Sequence, residues 1–182
     1  SLAARVAWAP PRPSVALPFT VREVVAMGRH AVGGSSAAVA RAIEAMDLTA
    51  VASRRWPELS TGQQQRTAIA RVLAQRDGQP PGVVLLDEPA GPLDLRHAER
   101  LGGVLRGLAA AGSTVVLAIH DLARAAEWAD AAWVLDAGRL VAAGAVSGTL
   151  TGERIEAVFG VAARWVEVDG RRRLIPGGPP TA

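Results

Sequence analysis

The chain predicts an α/β fold, a parallel sheet with flanking helices joined to a helical subdomain. Two apolar runs of strand length, Val83-Val84-Leu85-Leu86 and Thr114-Val115-Val116-Leu117-Ala118-Ile119, carry that prediction. Between them Leu101, Val104, Leu105 and Leu108 recur at helical spacing, and strand, helix, strand implies a parallel crossover. The first run ends in Asp87-Glu88 and the second in His120-Asp121, and ligands on such sheets gather beyond the carboxyl ends of the strands. Asp87, Glu88 and His120 are therefore expected along one edge of the sheet.

Along the chain, residues 1–19 contain Pro10, Pro11, Pro13 and Pro18 and read as an extended connector. A helical subdomain follows over 20–75. Thr20 and Glu23 form a capping box ahead of the apolar face Val21, Val24 and Val25. A turn at 32–36 leads to a second stripe, Val39, Ile43 and Met46, which reads as core packing. Ser60 and Gln63 form another capping box, followed by Ile69, Val72 and Leu73 at helical spacing, so the free amides of that helix end make a ready anion site.

The core α/β segment is expected over 76–148. It closes with a hairpin, Trp133-Val134-Leu135 and Arg139-Leu140-Val141 about Asp136-Ala137-Gly138, which would make the sheet mixed at its end. In the tail, 149–182, a short helix near 153–159 precedes a second hairpin whose turn is Asp169-Gly170, a favoured two-residue pair. From Pro176 onward the composition reads as disordered.

The 182 residues suffice for a substantial core. No run approaches the ~20 apolar residues of a membrane-spanning helix. All 20 basic residues are arginine and none is lysine, which gives a pI near 11.0 at a net charge of only +3. Those charges are dispersed, so the composition argues against a nucleic-acid surface. Cysteine is absent, which removes disulfides and thiolate metal sites, and no signal-peptide pattern opens the chain. The tryptophans at 8, 56, 128, 133 and 165 read as core or interface fillers, and His30 and His97 as surface residues.

Taken together, Leu59-Ser60-Thr61-Gly62-Gln63 resembles the LSGGQ signature of ABC ATPases, and Leu85-Leu86-Asp87-Glu88-Pro89 resembles their Walker B motif. Gly91-Pro92-Leu93-Asp94 is similar to the D-loop and His120 to the switch histidine. The resemblance extends over about residues 6–175. The segment 17–29 resembles importers of haem, siderophores and cobalamin, and the spacer 76–82 resembles haem importers within that group.

The resemblance implies a P-loop NTPase core binding ATP and Mg2+ between two head-to-tail copies beneath membrane permease subunits, peripheral on the cytoplasmic face of the inner membrane. It implies Glu88 as general base, Asp87 as the Mg2+ residue acting through water, and His120 as the γ-phosphate sensor. Ser60, Thr61, Gly62 and Gln63 would contact the partner's nucleotide, and Asp94 would organise the dimer interface. A carboxylate pair at a rigid strand end suits in-line phosphoryl transfer, which needs positioning and charge neutralisation more than covalent help.

Three positions depart from the pattern. Thr61 stands where the first glycine of the signature is usual, and Pro11 aligns with the Q-loop glutamine, a Mg2+ contact and hinge. The chain also has no Gly-x-x-x-x-Gly-Lys-Ser/Thr loop to cradle phosphates. In the family that loop precedes the region where Ser1 begins, so the expectation is a chain lacking its N-terminal portion and inactive alone. The rival is a degenerate, non-catalytic half acting as an interaction protein.

Overall fold

The computed structural model describes residues 2–177, which divide into two compact units meeting at 118/119. In the first unit, strand β1 (Val6–Ala9) precedes helices α1 (Val21–Met27), α2 (Ser36–Ala45) and α3 (Thr61–Arg76). Strand β2 (Val83–Asp87), helix α4 (Leu95–Ala110) and strand β3 (Thr114–Ala118) complete it. The three strands form one parallel sheet in the order β1-β2-β3. The expected connector over 1–19 therefore contains a short strand, Val6–Ala9, paired in register with Val83–Leu86. Only the proline-rich stretch after it connects to the helices.

Both expected capping boxes are present. Thr20 N–H donates to Glu23 Oε2 at 2.7 Å and Glu23 N–H to Thr20 Oγ1 at 3.3 Å, which starts α1. In α3, Ser60 N–H donates to Gln63 Oε1 at 3.0 Å and Gln63 N–H to Ser60 Oγ at 3.2 Å. Each pair satisfies two of the amides that a helix start leaves without intrahelical partners. The apolar stripes meet as the spacing requires: Val21, Val24 and Val25 of α1, Val39 and Ile43 of α2, and Ile69 and Val72 of α3 are all buried, together with Met46 and Leu48. Gly28, where α1 ends, lies so close to α3 that a Cβ there would collide with the Arg71 carbonyl. Buried Arg29 closes the same corner by donating to the carbonyls of Gly33, Ala74 and Asp77 at 2.8–2.9 Å.

Continuous apolar runs predict strands covered on both faces, and here the structure differs. The parallel register stacks Trp8, Leu85 and Val116 in one row and Ala9, Leu86 and Leu117 in the next. The Ala9 and Leu86 side is buried, whereas Trp8 is 56% and Val116 40% exposed.

The second unit contains α5 (Leu122–Trp128), the strands β4 (Ala131–Asp136) and β5 (Arg139–Ala145), the helices α6 (Val146–Thr149) and α7 (Gly152–Phe159), and the strands β6 (Ala163–Val168) and β7 (Arg171–Pro176). Both expected hairpins form, β4-β5 and β6-β7, each antiparallel. Among the described residues each is a two-stranded sheet of its own, so the expected mixed extension of the main sheet is not found. Ala137 and Gly138 turn the first hairpin with φ of 45° and 78°, Asp169 and Gly170 the second with 50° and 71°. Positive φ at both central residues gives the twist that two-residue hairpins favour. Val134, Leu150, Ile155 and Leu174 form the core of this unit, with Trp165 packed against it and its Nε1–H donating to Leu150 O at 2.8 Å. Pro176 ends β7, so the expected disorder does not begin there; 178–182 lie outside the described residues.

Candidate functional site

In the first unit the carboxylates sit where the strand pattern put them. Asp87 is the last residue of β2, in register with Ala118 of β3, and Glu88 N–H donates to Ala118 O at 3.0 Å. Glu88 then turns the chain with φ 46°, in the left-handed region that costs a residue with a Cβ on the order of 1 kcal/mol. Such a backbone fixes where the side chain leaves the main chain. Gly91 N–H donates to Glu88 O at 3.3 Å and Leu93 N–H to Ala90 O at 3.0 Å, so 88–93 is a compact turn anchored by buried Pro89 and Ala90.

That turn delivers Asp94 as the N-cap of α4, its carboxylate accepting His97 N–H at 2.9 Å. The Asp94 pKa is lowered, first by this amide, then by the His97 ring. The sequence-based assignment of His97 to the surface needs correction. Its side chain is only 14% exposed, because Asp94 on one side and Asp47 on the other enclose the ring. His30 is exposed as expected.

The signature residues open α3. Ser60 and Thr61 are exposed, so the Thr61 side chain that replaces a glycine projects from the first helical residue. The first intrahelical bond is Gln64 N–H to Ser60 O at 2.9 Å, so the amides of Thr61 and Gly62 precede the helical ladder. Gly62 has a reason that sequence reasoning missed. A Cβ there would stand 2.9 Å from Pro92 O, so the D-loop backbone lies against the start of the signature helix. Four residues on, buried Arg66 donates from Nη1 to Met46 O at 2.8 Å and Asp47 O at 2.6 Å, which ties the same helix to the turn after α2. Desolvation lowers the Arg66 pKa. Pro10 and Pro11 follow β1 directly, at the carboxyl end of the strand that neighbours β2, with Pro11 exposed.

His120 belongs to the second unit. It is exposed, two residues beyond the end of β3, and precedes Asp121, the N-cap of α5, which accepts Arg124 N–H at 3.1 Å. Ser60, Thr61, Gly62, Gln63, Asp87, Glu88 and Asp94 all lie in the first unit, where the approach of Gly62 to Pro92 links the start of α3 to the turn that ends at Asp94. A cation would find hard oxygen donors at Asp87 and Glu88. Among the described residues no group of three or more His, Asp and Glu side chains could hold a metal by itself. That donor set suits an ion carrying most of its own shell as water and phosphate oxygens, as Mg2+ does.

The sequence model of the family described as ABC transporter matches residues 1–91. A hemin import ATP-binding protein, HmuV, of Rhizobium meliloti (strain 1021) is 42% identical over 158 residues, covering 82% of this chain and 60% of that protein. Its namesake in Rhodopseudomonas palustris (strain BisB18) is 44% identical over 183 residues, covering 96% and 68%. The chain thus spans about three fifths to two thirds of the length of these relatives. Among solved structures, a metal-chelate-type ABC transporter in an inward-facing conformation superposes with a TM-score of 0.78 at 23% identity, over 96% of this chain and 73% of that one. An ATP-binding subunit of an ABC transporter gives 0.69 at 26% identity, over 86% and 63%. The first of these shows the fold, a parallel sheet with flanking helices, and no helix of the described residues is long and apolar enough to cross a membrane. With the signature, strand-end carboxylates and D-loop in their expected order on that fold, the chain belongs to the ABC transporter family.

Proposed function

We propose that this chain supplies the signature, acidic strand end and D-loop of an ATP-hydrolysing subunit that drives haem import through a membrane permease. The observation that carries the reading is identity of 42% and 44% to proteins named hemin import ATP-binding protein. The gathering of Gly62, Asp87, Glu88 and Asp94 in one compact unit supports it. In this reading Glu88 is the general base toward the attacking water and His120 contacts the γ-phosphate. Asp87 holds Mg2+ through water. Bound Mg2+ neutralises charge on the phosphates. Ser60, Thr61, Gly62 and Gln63 engage ATP carried by a second copy, the exposed amides of α3 and its positive dipole end meeting phosphate oxygens. Asp94 organises the interface of that homodimer, which lies on the cytoplasmic face beneath the permease. Siderophore and cobalamin are the alternative cargoes.

A test measures phosphate release by the intact protein and its Glu88→Gln variant, with haem-dependent growth of a strain lacking its own haem-import ATPase. Removing a general base should cost roughly 10²–10⁴-fold in turnover. Turnover that survives Glu88→Gln at the wild-type rate would overturn the role of that carboxylate, and growth restored only on a siderophore or cobalamin would overturn haem.

A second reading is a non-catalytic half that lends Ser60 and Gly62, at the exposed start of α3, to a complete partner. It predicts that these residues alone show no turnover. The coding sequence upstream of Ser1 separates the two: an in-frame Gly-x-x-x-x-Gly-Lys-Ser/Thr there excludes the degenerate half.

A further inference from the structure

The hydrolytic reaction as proposed gives no task to His97, yet both nitrogens of its ring have close partners. Nδ1 lies 2.7 Å from Asp94 Oδ1 and Nε2 lies 3.3 Å from Asp47 Oδ2. The two carboxylates offer only acceptors, while the Arg96 guanidinium, whose Nη2 lies 3.4 Å from Nε2, offers only donors; a neutral imidazole carries one N–H and an imidazolium two. The ring therefore bonds both carboxylates at once only when protonated, whereas a neutral ring with its N–H on Nδ1 keeps Asp94, turns the Nε2 lone pair to Arg96 and gives up its direct bond to Asp47.

Those carboxylates end two different segments. Asp94 closes the D-loop and caps α4. Asp47 closes α2 in a left-handed conformation, φ 53°, and its backbone oxygen accepts from Arg66 of the signature helix. Pro92 of the D-loop in turn lies over Gly62 at the start of that helix. The contacts close a ring: Gly62, Pro92, Asp94, His97, Asp47, Arg66, and back along one turn of α3.

The charges facing this ring come from three elements. Arg96 and Arg100 project from α4, Asp47 stands on the turn after α2, and Arg66 lies on α3. Arg96 pairs with Asp47, and Arg100 donates to Ala45 O at 2.6 Å and Glu44 O at 2.7 Å. Burial raises the Asp47 pKa, but the His97 hydrogen bond and the charges of Arg96, Arg100 and Arg66 outweigh it and leave the carboxyl ionised.

We infer that His97 is a positioning residue for the D-loop, a proton-dependent tie between Asp94 and Asp47 that fixes the D-loop against the start of the signature helix. Because the D-loop and signature belong to the site proposed above, the consequence for turnover rests on that reading, whereas the tie itself does not. Protonation completes the ring and deprotonation opens it at one carboxylate, which gives the D-loop a pH-dependent stiffness.

The experiment follows amide hydrogen exchange at 91–97 in the intact protein between about pH 5 and 8, corrected for intrinsic exchange. Asp47→Gly removes the carboxylate yet suits the left-handed backbone that carries the Arg66 contact. His97→Gln leaves an amide that cannot donate from both ends. Arg41→Ala, which breaks the separate Arg41–Asp77 pair (2.8 Å), is the control. In wild type and control, protection should fall about fivefold as pH rises, the scale of one part-exposed ion pair, and this step should vanish in Asp47→Gly and His97→Gln. A step that persists in Asp47→Gly, or is missing from wild type, overturns the tie. Turnover read in parallel should show a lower kcat in Asp47→Gly with KM for ATP unchanged. If the intact wild-type protein hydrolyses no ATP, the functional proposal fails while the exchange experiment still decides the tie.

Discussion

Gly62→Ala puts a number on the contact between the D-loop and the signature helix. An added Cβ would stand 2.9 Å from Pro92 O, closer than a carbon and a carbonyl oxygen approach without something moving. The atom it meets is backbone, held by Leu93 N–H to Ala90 O at 3.0 Å and by the Asp94 cap, so it cannot swing aside like the end of a side chain. Overpacking of this kind costs roughly 1–3 kcal/mol. Helix propensity works the other way, since alanine is favoured over glycine by up to about 1 kcal/mol inside a helix. The net expectation is a loss of about 0–3 kcal/mol.

Gly103 and Gly107 of α4 supply the internal standard, because a Cβ at either meets nothing within 4 Å. Their alanine variants should gain about 0.5–1 kcal/mol each. Urea denaturation of the three variants, with thermal midpoints moving roughly 2–4 °C per kcal/mol, reads the difference. A Gly62→Ala variant stabilised as much as Gly103→Ala would refute the close approach, and with it one link of the ring through His97.

Two further outcomes follow from buried and charged groups. Gln65 is 1% exposed and neither its amide nitrogen nor its oxygen has a hydrogen-bond partner among the described residues, so Gln65→Met, which keeps the volume, should raise stability by roughly 1 kcal/mol in the same denaturation assay. A loss of that size would mean the amide is satisfied. The carboxyls of Asp94 and Asp47 have lowered pKa values, the first chiefly through the His97 amide, the second because His97 and the arginines outweigh desolvation. A depressed carboxylate contributes stability that is fully present above the unfolded value of about 4 and is lost as pH falls through the folded value. Thermal midpoints should therefore decline below about pH 4, and less steeply in Asp94→Asn, which keeps a capping oxygen. An equal acid slope in wild type and variant would exclude that contribution.

Local chemistry was legible in the sequence and distant contacts were not. The capping boxes at Thr20 and Ser60 involve residues three apart, so spacing alone announced both helix starts. The two-residue turn at Asp169-Gly170 declared itself in the same way, whereas the first hairpin, read about Asp136-Ala137-Gly138, turns on Ala137-Gly138 alone because Asp136 pairs as the end of β4. β1 was hidden because its four residues run straight into a proline-rich stretch that dominates the local composition. His97 was misplaced because one of its two partners is fifty positions away, and no periodicity relates residues 47 and 97. Gly62 was expected to matter for nucleotide approach, yet its neighbour in the folded chain is Pro92, a contact set by where α3 and the turn after β2 converge.

The left-handed backbone at Glu88 also shapes what selection or engineering would do at this position. Glutamine inherits the same backbone penalty, so Glu88→Gln removes the charge while leaving that penalty unchanged. Glycine is at ease at φ 46°, so screens for heat resistance would favour Glu88→Gly and discard the carboxylate. If the carboxylate has the role proposed above, variants recovered from such a screen would melt later and turn over more slowly, a trade-off seated in one φ angle.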